Sequence, residues 1–312
     1  LYNGGIGTHT PNPQAALYAQ STGPIIELNG GTGNYFGVTL EVNGTENWFS
    51  GIDPAENLVP TAVSKGHNVV CEYFNKNTLN KLGLDKFDII TAQNVFAHNS
   101  YPTDFLKICK EIMHDKSVLF IQTSQADMVK NNEFDTIYHE HLSFFSVESM
   151  AAVVQRAGLC LIDVVRVPIH GTSFIFIIGK DVDRSEELIE KEDKLTKRDL
   201  MFYSNNVYSI IHNLRNAIDD FRYEHYKIVG YGAAAKGSTI INAGRIKLDY
   251  IVDDNPLKHG LYTPGMHVPI KHPDVLKQEK EKILVVPLAW NFFDEIKQKT
   301  LERNKNVKFI RY

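Results

Sequence analysis

Pro24–Tyr35 reads PIIELNGGTGNY, and Gly51–Asn57 reads GIDPAEN. In the first stretch an apolar run ends on Glu27 and is followed by Gly30, Gly31 and Gly33; twenty residues after Gly33 a second apolar run closes on Asp53. Glycine lets a backbone turn sharply and approach a ligand closely, as it does where nucleotide-type cofactors are cradled beside a sheet edge. A carboxylate ending the next strand is placed to accept both ribose hydroxyls of an adenosine. An ordinary loop with a capping aspartate would use the same letters, but the spacing of turn, strand and acid predicts a doubly wound α/β sheet with a ligand at its carboxyl edge. One stretch runs against the pattern. Asn34–Trp48, NYFGVTLEVNGTENW, is richer in β-branched and turn residues than a helix, and Asn43-Gly44 could turn a hairpin.

Apolar runs alternating with helix-period stretches extend the sheet in both directions. Strands are expected at 24–28, 49–53, 68–73, 87–92 and 118–123, and helices at 55–65, 104–113 and 147–157, the last with Ser146 as N-cap. Two further runs, 159–167 and 173–178, are joined by a short PIHG turn and should pair antiparallel, closing the sheet with a hairpin. The charge-rich stretch Asp181–Asp199 reads as a solvated helix face, with helical periodicity continuing to about Phe221. A second α/β unit follows, with strands at 227–230, 248–252, 283–286 and 307–310. The expected organisation is therefore an N-terminal segment, 1–22, a sheet domain, 23–180, and a helical linker with a smaller Rossmann-like domain, 181–312.

The 312 residues are 43% hydrophobic and 22% charged, ordinary for a globular chain with two or more cores. A net charge of -4 favours neither nucleic acid nor an anionic membrane as partner, and no apolar run is long enough to span a bilayer. Cys71, Cys109 and Cys160 lie far apart without a CxxC pair, which fits a reducing cytoplasm better than a zinc site or a disulfide framework. Nothing in the sequence sets an oligomeric state.

Asp135–Ser146 reads DTIYHEHLSFFS, with Tyr138, His139, Glu140 and His141 in succession. A phenol, two groups that titrate near neutrality and a carboxylate that can orient either imidazole form a set able to move protons. If extended, the segment would put Tyr138 and Glu140 on one face and His139 and His141 on the other, leaving one histidine a structural role. A second glycine turn, VGYGAAAKGST (Val229–Thr239), follows a strand and should open a helix whose N–H groups, with Lys236, could hold a phosphate. A close-packed turn of small residues is the plainer alternative there.

The motifs ELNGGTG, GIDPAEN, AQNVFAH, IYHEHLSFFS, IHGTSF, GYGAAAKG, YIVDDNPLKHGLYTPG and LAWNFFDEI together resemble the sugar C-methyltransferases that act on nucleotide-linked keto-deoxysugars, over nearly the whole chain. The resemblance implies a class I methyltransferase fold binding S-adenosylmethionine through Glu27, Gly30, Gly31, Gly33, Asp53 and Asn94. It also implies a Rossmann-like C-terminal domain that helps to hold the nucleotide sugar, with Lys236, Tyr231 and His170 as candidate substrate contacts. Asn29 stands where the cofactor loop often has its first glycine, and the family's N-terminal four-cysteine zinc module has no counterpart in these cysteines, so that module is expected to be cut off or never to have existed. The family's catalytic roles fall on Tyr138, Glu140, His141 and His98. His141 is the expected base, Tyr138 and His98 stabilise or protonate oxygen, Glu140 orients an imidazole or binds a sugar hydroxyl, and His139 is structural. The expected reaction is C-methylation, at carbon 3 of a 4-keto-6-deoxy sugar. Two other classes fit parts of the chain: a nucleotide-sugar or adenosine-binding module that has lost catalysis, and an NAD-dependent enzyme using GYGAAAKG, which lacks the third glycine of a dinucleotide fingerprint.

Overall fold

The computed structural model describes residues 18–21, 25–29, 39–42, 49–82, 86–125, 127–169 and 171–312. Gly30, Gly31, Gly33 and His170 lie outside these residues, as does the Asn43-Gly44 turn. The chain forms two compact units, one comprising Leu1–Asp127 with Glu140–Lys194 and the other Met128–His139 with Leu195–Tyr312.

The first unit is built on a seven-stranded sheet. Its strands are β2 (Ile25–Asn29), β4 (Phe49–Ile52), β5 (Asn68–Val70), β6 (Phe87–Gln93), β7 (Met113–Thr123), β8 (Cys160–Val167) and β9 (Ser173–Gly179), while β1 (Tyr18–Ser21) and β3 (Thr39–Val42) pair separately in parallel. The order is β5-β4-β2-β6-β7-β9-β8, parallel except that β9 runs antiparallel to both neighbours. This is the class I methyltransferase arrangement, with the hairpin at its edge as expected. β4 pairs in parallel with both β2 and β5.

The sheet is held by apolar side chains on both faces. Every residue of β9 is buried, and one layer joins Ile90, Leu119, Ile121, Phe174 and Phe176 to Phe96, Phe105, Phe145 and Met150. The opposite layer consists of Ile89, Val118, Phe120, Val167, Ile175 and Ile177. Helix α1 (Val59–Ser64) begins later than the expected Ala55, because Pro60 lacks an N–H and is accommodated only in a first turn. Helix α2 (Lys76–Leu82) was not legible, and α3 (Pro102–Glu111) likewise starts on proline. Helix α4 (Val147–Arg156) starts at the expected cap: Ser146 Oγ accepts the Ser149 N–H at 3.1 Å, and Ser149 Oγ accepts the Ser146 N–H at 2.9 Å. The charged stretch is two helices rather than one face, α5 (Ser185–Lys191) and α6 (Lys197–Tyr223), with a fresh Thr196–Asp199 capping box starting the second.

The second unit carries a five-stranded, all-parallel sheet in the order β12-β11-β10-β13-β14. These strands are β10 (Lys227–Tyr231), β11 (Tyr250–Val252), β12 (Ile270–Lys271), β13 (Ile283–Pro287) and β14 (Val307–Phe309), with α7 (Ala235–Ala243) and α8 (Phe293–Arg303) among its helices. The expected Rossmann-like unit is present, with β12 in addition. Its core also takes in a residue from far upstream: Phe134 packs with Leu214, Ile228, Ile240 and Leu288. Next to it Asp135 is buried and accepts the Trp290 Nε1–H at 2.5 Å. Among the described residues, no helix is long and apolar enough to cross a membrane.

Candidate active site

In the first unit, β6 ends on Gln93, and Asn94 adopts a left-handed conformation (φ 54°) with its N–H donated to the Gln122 carbonyl at 3.2 Å. The chain then forms a short 3-10 turn over Phe96–His98. Phe96 is fully buried and lies 5.0 Å, centroid to centroid, from Phe145. The Ala97 carbonyl accepts the N–H groups of Leu142 and Ser143 at 2.9 and 3.2 Å. These two ties hold the turn after β6 against the segment after His141, and so bring together residues more than forty positions apart. His98 and His141 stand with ring centroids 5.1 Å apart. His141 is 8% exposed and meets Phe144 edge-on at 6.1 Å.

Burial lowers the pKa of His98, and the nearby Glu140 carboxylate opposes that shift. Burial thus favours the neutral imidazole, which can both donate and accept a proton. The YHEH segment is a turn rather than extended, so its side chains do not alternate between two faces: His141 is buried, Tyr138 half-buried, and His139 and Glu140 exposed. His98, Glu140 and His141 thus come together within the first unit, while Tyr138 and His139 belong to the second.

Asp53 follows β4 at the carboxyl edge of the sheet, 7% exposed, with Oδ1 accepting the Ala55 N–H at 2.8 Å. Burial raises its pKa, and the Ala55 hydrogen bond opposes the rise. Sequence reasoning passed over polar residues at the same edge of the sheet. Gln93, Gln122, Thr123 and Gln125, at the carboxyl ends of β6 and β7, are all buried. Each carries a polar side-chain atom without a partner among the described residues. Their signal was present in DIITAQN and LFIQTSQ, where apolar strands end abruptly in amides. A desolvated aspartate at the carboxyl edge of a parallel sheet fits a polar, ribose-bearing cofactor.

In the second unit the glycine turn is present, but its chemistry differs from the expectation. Gly232 has φ +92° and a Cβ on it would lie 3.1 Å from Ala289 Cβ, so the turn needs glycine there. The Ala233 N–H, however, is taken by the Asp253 carboxylate at 2.7 Å, which also contacts Lys258 Nζ at 3.2 Å. That donor is committed within the protein rather than presented to a phosphate. Tyr231 is 2% exposed and its phenol donates to Asp254 at 3.0 Å, with burial the main cause of its raised pKa. Lys236 remains accessible, half-buried with Nζ 4.8 Å from the Trp290 ring centroid.

The seven-stranded sheet has the class I methyltransferase fold. Two family models match in tandem: a methyltransferase domain over residues 11–164 and a C-methyltransferase C-terminal domain over residues 168–312. The chain is thus similar, half by half, to C-methyltransferases that carry this pair of domains. S-adenosylmethionine is the cofactor of such methyltransferase domains. The chain is 27% identical over 267 residues to the C-methyltransferase NovU of Streptomyces niveus, an alignment covering 79% of this chain and 62% of NovU. It therefore spans less than two thirds of that relative's length. Among solved structures, it is similar to an S-adenosylmethionine-dependent methyltransferase from Clostridium acetobutylicum, at 11% identity and a TM-score of 0.37, covering 52% of this chain and 85% of the other. The Burkholderia thailandensis 1,6-didemethyltoxoflavin-N1-methyltransferase is 14% identical with a TM-score of 0.36, covering 51% and 72%.

Proposed function

We propose that this protein is a cytoplasmic enzyme that uses S-adenosylmethionine to methylate a carbon beside the ketone of a nucleotide-linked keto-deoxysugar, at carbon 3 of a 4-keto-6-deoxy sugar. The observation that carries the proposal is the His98–His141 pair, two imidazoles 5.1 Å apart with a carboxylate close to one of them. When bound, S-adenosylmethionine supplies an electrophilic methyl group on a sulfonium. Asp53 would hold its ribose, with Glu27, Asn94 and the Gly30–Gly33 turn around the rest.

A carbon next to a ketone is a very weak acid, so its methylation needs a base at the proton and donors at the oxygen that gains charge. His141, buried beside Phe144, takes the proton. His98, whose neutral form burial favours, donates an N–H towards the ketone oxygen. Glu140, whose carboxylate lies near His98, orients that imidazole or binds a sugar hydroxyl. Lys236 binds a phosphate of the nucleotide. Holding the two substrates in line contributes much of the rate. The test is mass spectrometry of a panel of nucleotide-linked keto-sugars incubated with the protein and S-adenosylmethionine. A gain of one methyl on a carbon next to the ketone is expected; a panel left unmodified by protein that binds S-adenosylhomocysteine would sink the sugar assignment.

A further inference from the structure

The buried faces of β6 and β7 end in amides that the reaction chemistry above does not use. Gln93 and Gln122 are register neighbours and continue the face formed by Ile89, Val118 and Phe120, yet they are only 8% and 1% exposed. Ser173 fixes the orientation of one of them. Its hydroxyl donates to the Ile169 carbonyl at 2.8 Å, so towards Gln122 it acts as an acceptor, receiving the Nε2–H at 3.4 Å. Gln122 Oε1 is then the atom left to accept, and neither it nor Gln93 Oε1 has a partner among the described residues. Gln125, two residues past the end of β7 and 4% exposed, has neither Oε1 nor Nε2 partnered. A buried amide without a partner is costly and calls for an explanation. These amides cluster at the carboxyl ends of parallel strands, where open α/β sheets hold their ligands.

We propose that Gln125, with Gln122 and Gln93, reads adjacent oxygens on the substrate's ring, and that these residues select a polyhydroxylated substrate; the assignment rests on the sugar reading above and deepens it. The edge of an amide offers a donor and an acceptor side by side. Its complement is a hydroxyl next to another oxygen, as in a vicinal diol or a hydroxyl beside a ketone. Gln93 and Gln122 add two acceptors. A hydrocarbon or plain aromatic substrate would leave all three amides unsatisfied, whereas a sugar ring supplies hydroxyls of both capacities. A site built to bond a hydroxyl rejects an analogue lacking it far more strongly than an apolar pocket rejects an extra group.

Gln125→Met removes the amide at nearly constant volume, and Gln122→Met does the same for its neighbour. The full chain is assayed with two probes, thymidine-diphosphate-linked 4-keto-6-deoxyglucose and an analogue lacking one ring hydroxyl. Wild-type protein should prefer the hydroxylated probe by about tenfold or more in kcat/KM. Gln125→Met should lose that preference while S-adenosylhomocysteine affinity stays within about twofold of wild type. Without ligand the variant should melt about 2–4 °C higher, because an uncompensated buried amide has gone. A tenfold loss of S-adenosylhomocysteine affinity would reassign the amide to the cofactor and overturn the proposal, as would a lower melting temperature. Wild-type turnover with the preference unchanged in both variants would overturn this assignment alone. Failure of wild-type protein to bind either probe would overturn the sugar reading along with it.

Discussion

Asp53→Asn isolates one charge at the carboxyl edge of the sheet. The substitution is nearly isosteric, and an asparagine Oδ1 can still accept the Ala55 N–H that Asp53 receives at 2.8 Å. What changes is the other oxygen, which becomes an NH₂ group facing a ribose diol that needs an acceptor. One charge-assisted hydrogen bond is lost and a second weakened, about 2–3 kcal/mol in all. Affinity for S-adenosylhomocysteine should fall about 30- to 150-fold, read by isothermal titration calorimetry. Burial raises the pKa of Asp53, so holding its charge costs the free protein more than it would in water. The ligand-free variant should therefore melt no lower than wild type. The pH dependence follows in sign. As pH falls through the raised pKa, wild-type Asp53 takes up a proton and cofactor binding weakens; Asp53→Asn should lack that limb. An unchanged affinity in the folded variant would mean that the ribose is held elsewhere.

His141→Asn should lower turnover by roughly 10²–10⁴ while both ligands still bind, since it removes the proposed base and leaves their main contacts in place; near-normal turnover would move the base to His98 or Glu140. His98 titrates below the unfolded-state histidine value of about 6.5, so the unfolded chain takes up the proton first. Stability should fall as pH drops through that value towards the lower folded pKa, and urea midpoints across the range should change less in His98→Asn. Phe134→Ala should destabilise the second unit by about 3–5 kcal/mol, because a buried ring leaves a core cluster; denaturant unfolding followed by Trp290 fluorescence reads it. Lys236→Ala should raise the Michaelis constant for the nucleotide sugar with cofactor affinity unchanged, and a loss of cofactor binding would refute its phosphate role.

The sequence carried the parts of the fold that local pattern determines. β6 and the β8–β9 hairpin are apolar runs with abrupt polar ends, and Ser146 announces α4 because a cap needs only residues three apart. The His98–His141 pairing depended on two distant ties, Phe96 to Phe145 and the Ala97 carbonyl to Leu142 and Ser143, that no local period records. The extended form of YHEH failed for a related reason: a segment fixed by long-range packing need not follow the period of a strand. The partner of the Tyr231 phenol, Asp254, lies twenty-three residues on, a pairing that no local pattern announces. Gln93 and Gln122 were passed over because an amide inside an apolar run reads as a strand end, and only burial without a partner distinguishes a binding group from a boundary.

The assignment of Met128–His139 to the second unit, with Phe134 in its core and Asp135 bonded to Trp290, gives the polypeptide three crossings between units. A gene fragment covering 195–312 would encode a core lacking one of its aromatic members, and a fragment ending at 194 would carry Phe134 with nowhere to bury it. Recombination that exchanged the C-terminal half between relatives would have to match this upstream strap as well as the junction. Functional chimaeras should therefore be those that inherit 128–139 together with 195–312 from one parent.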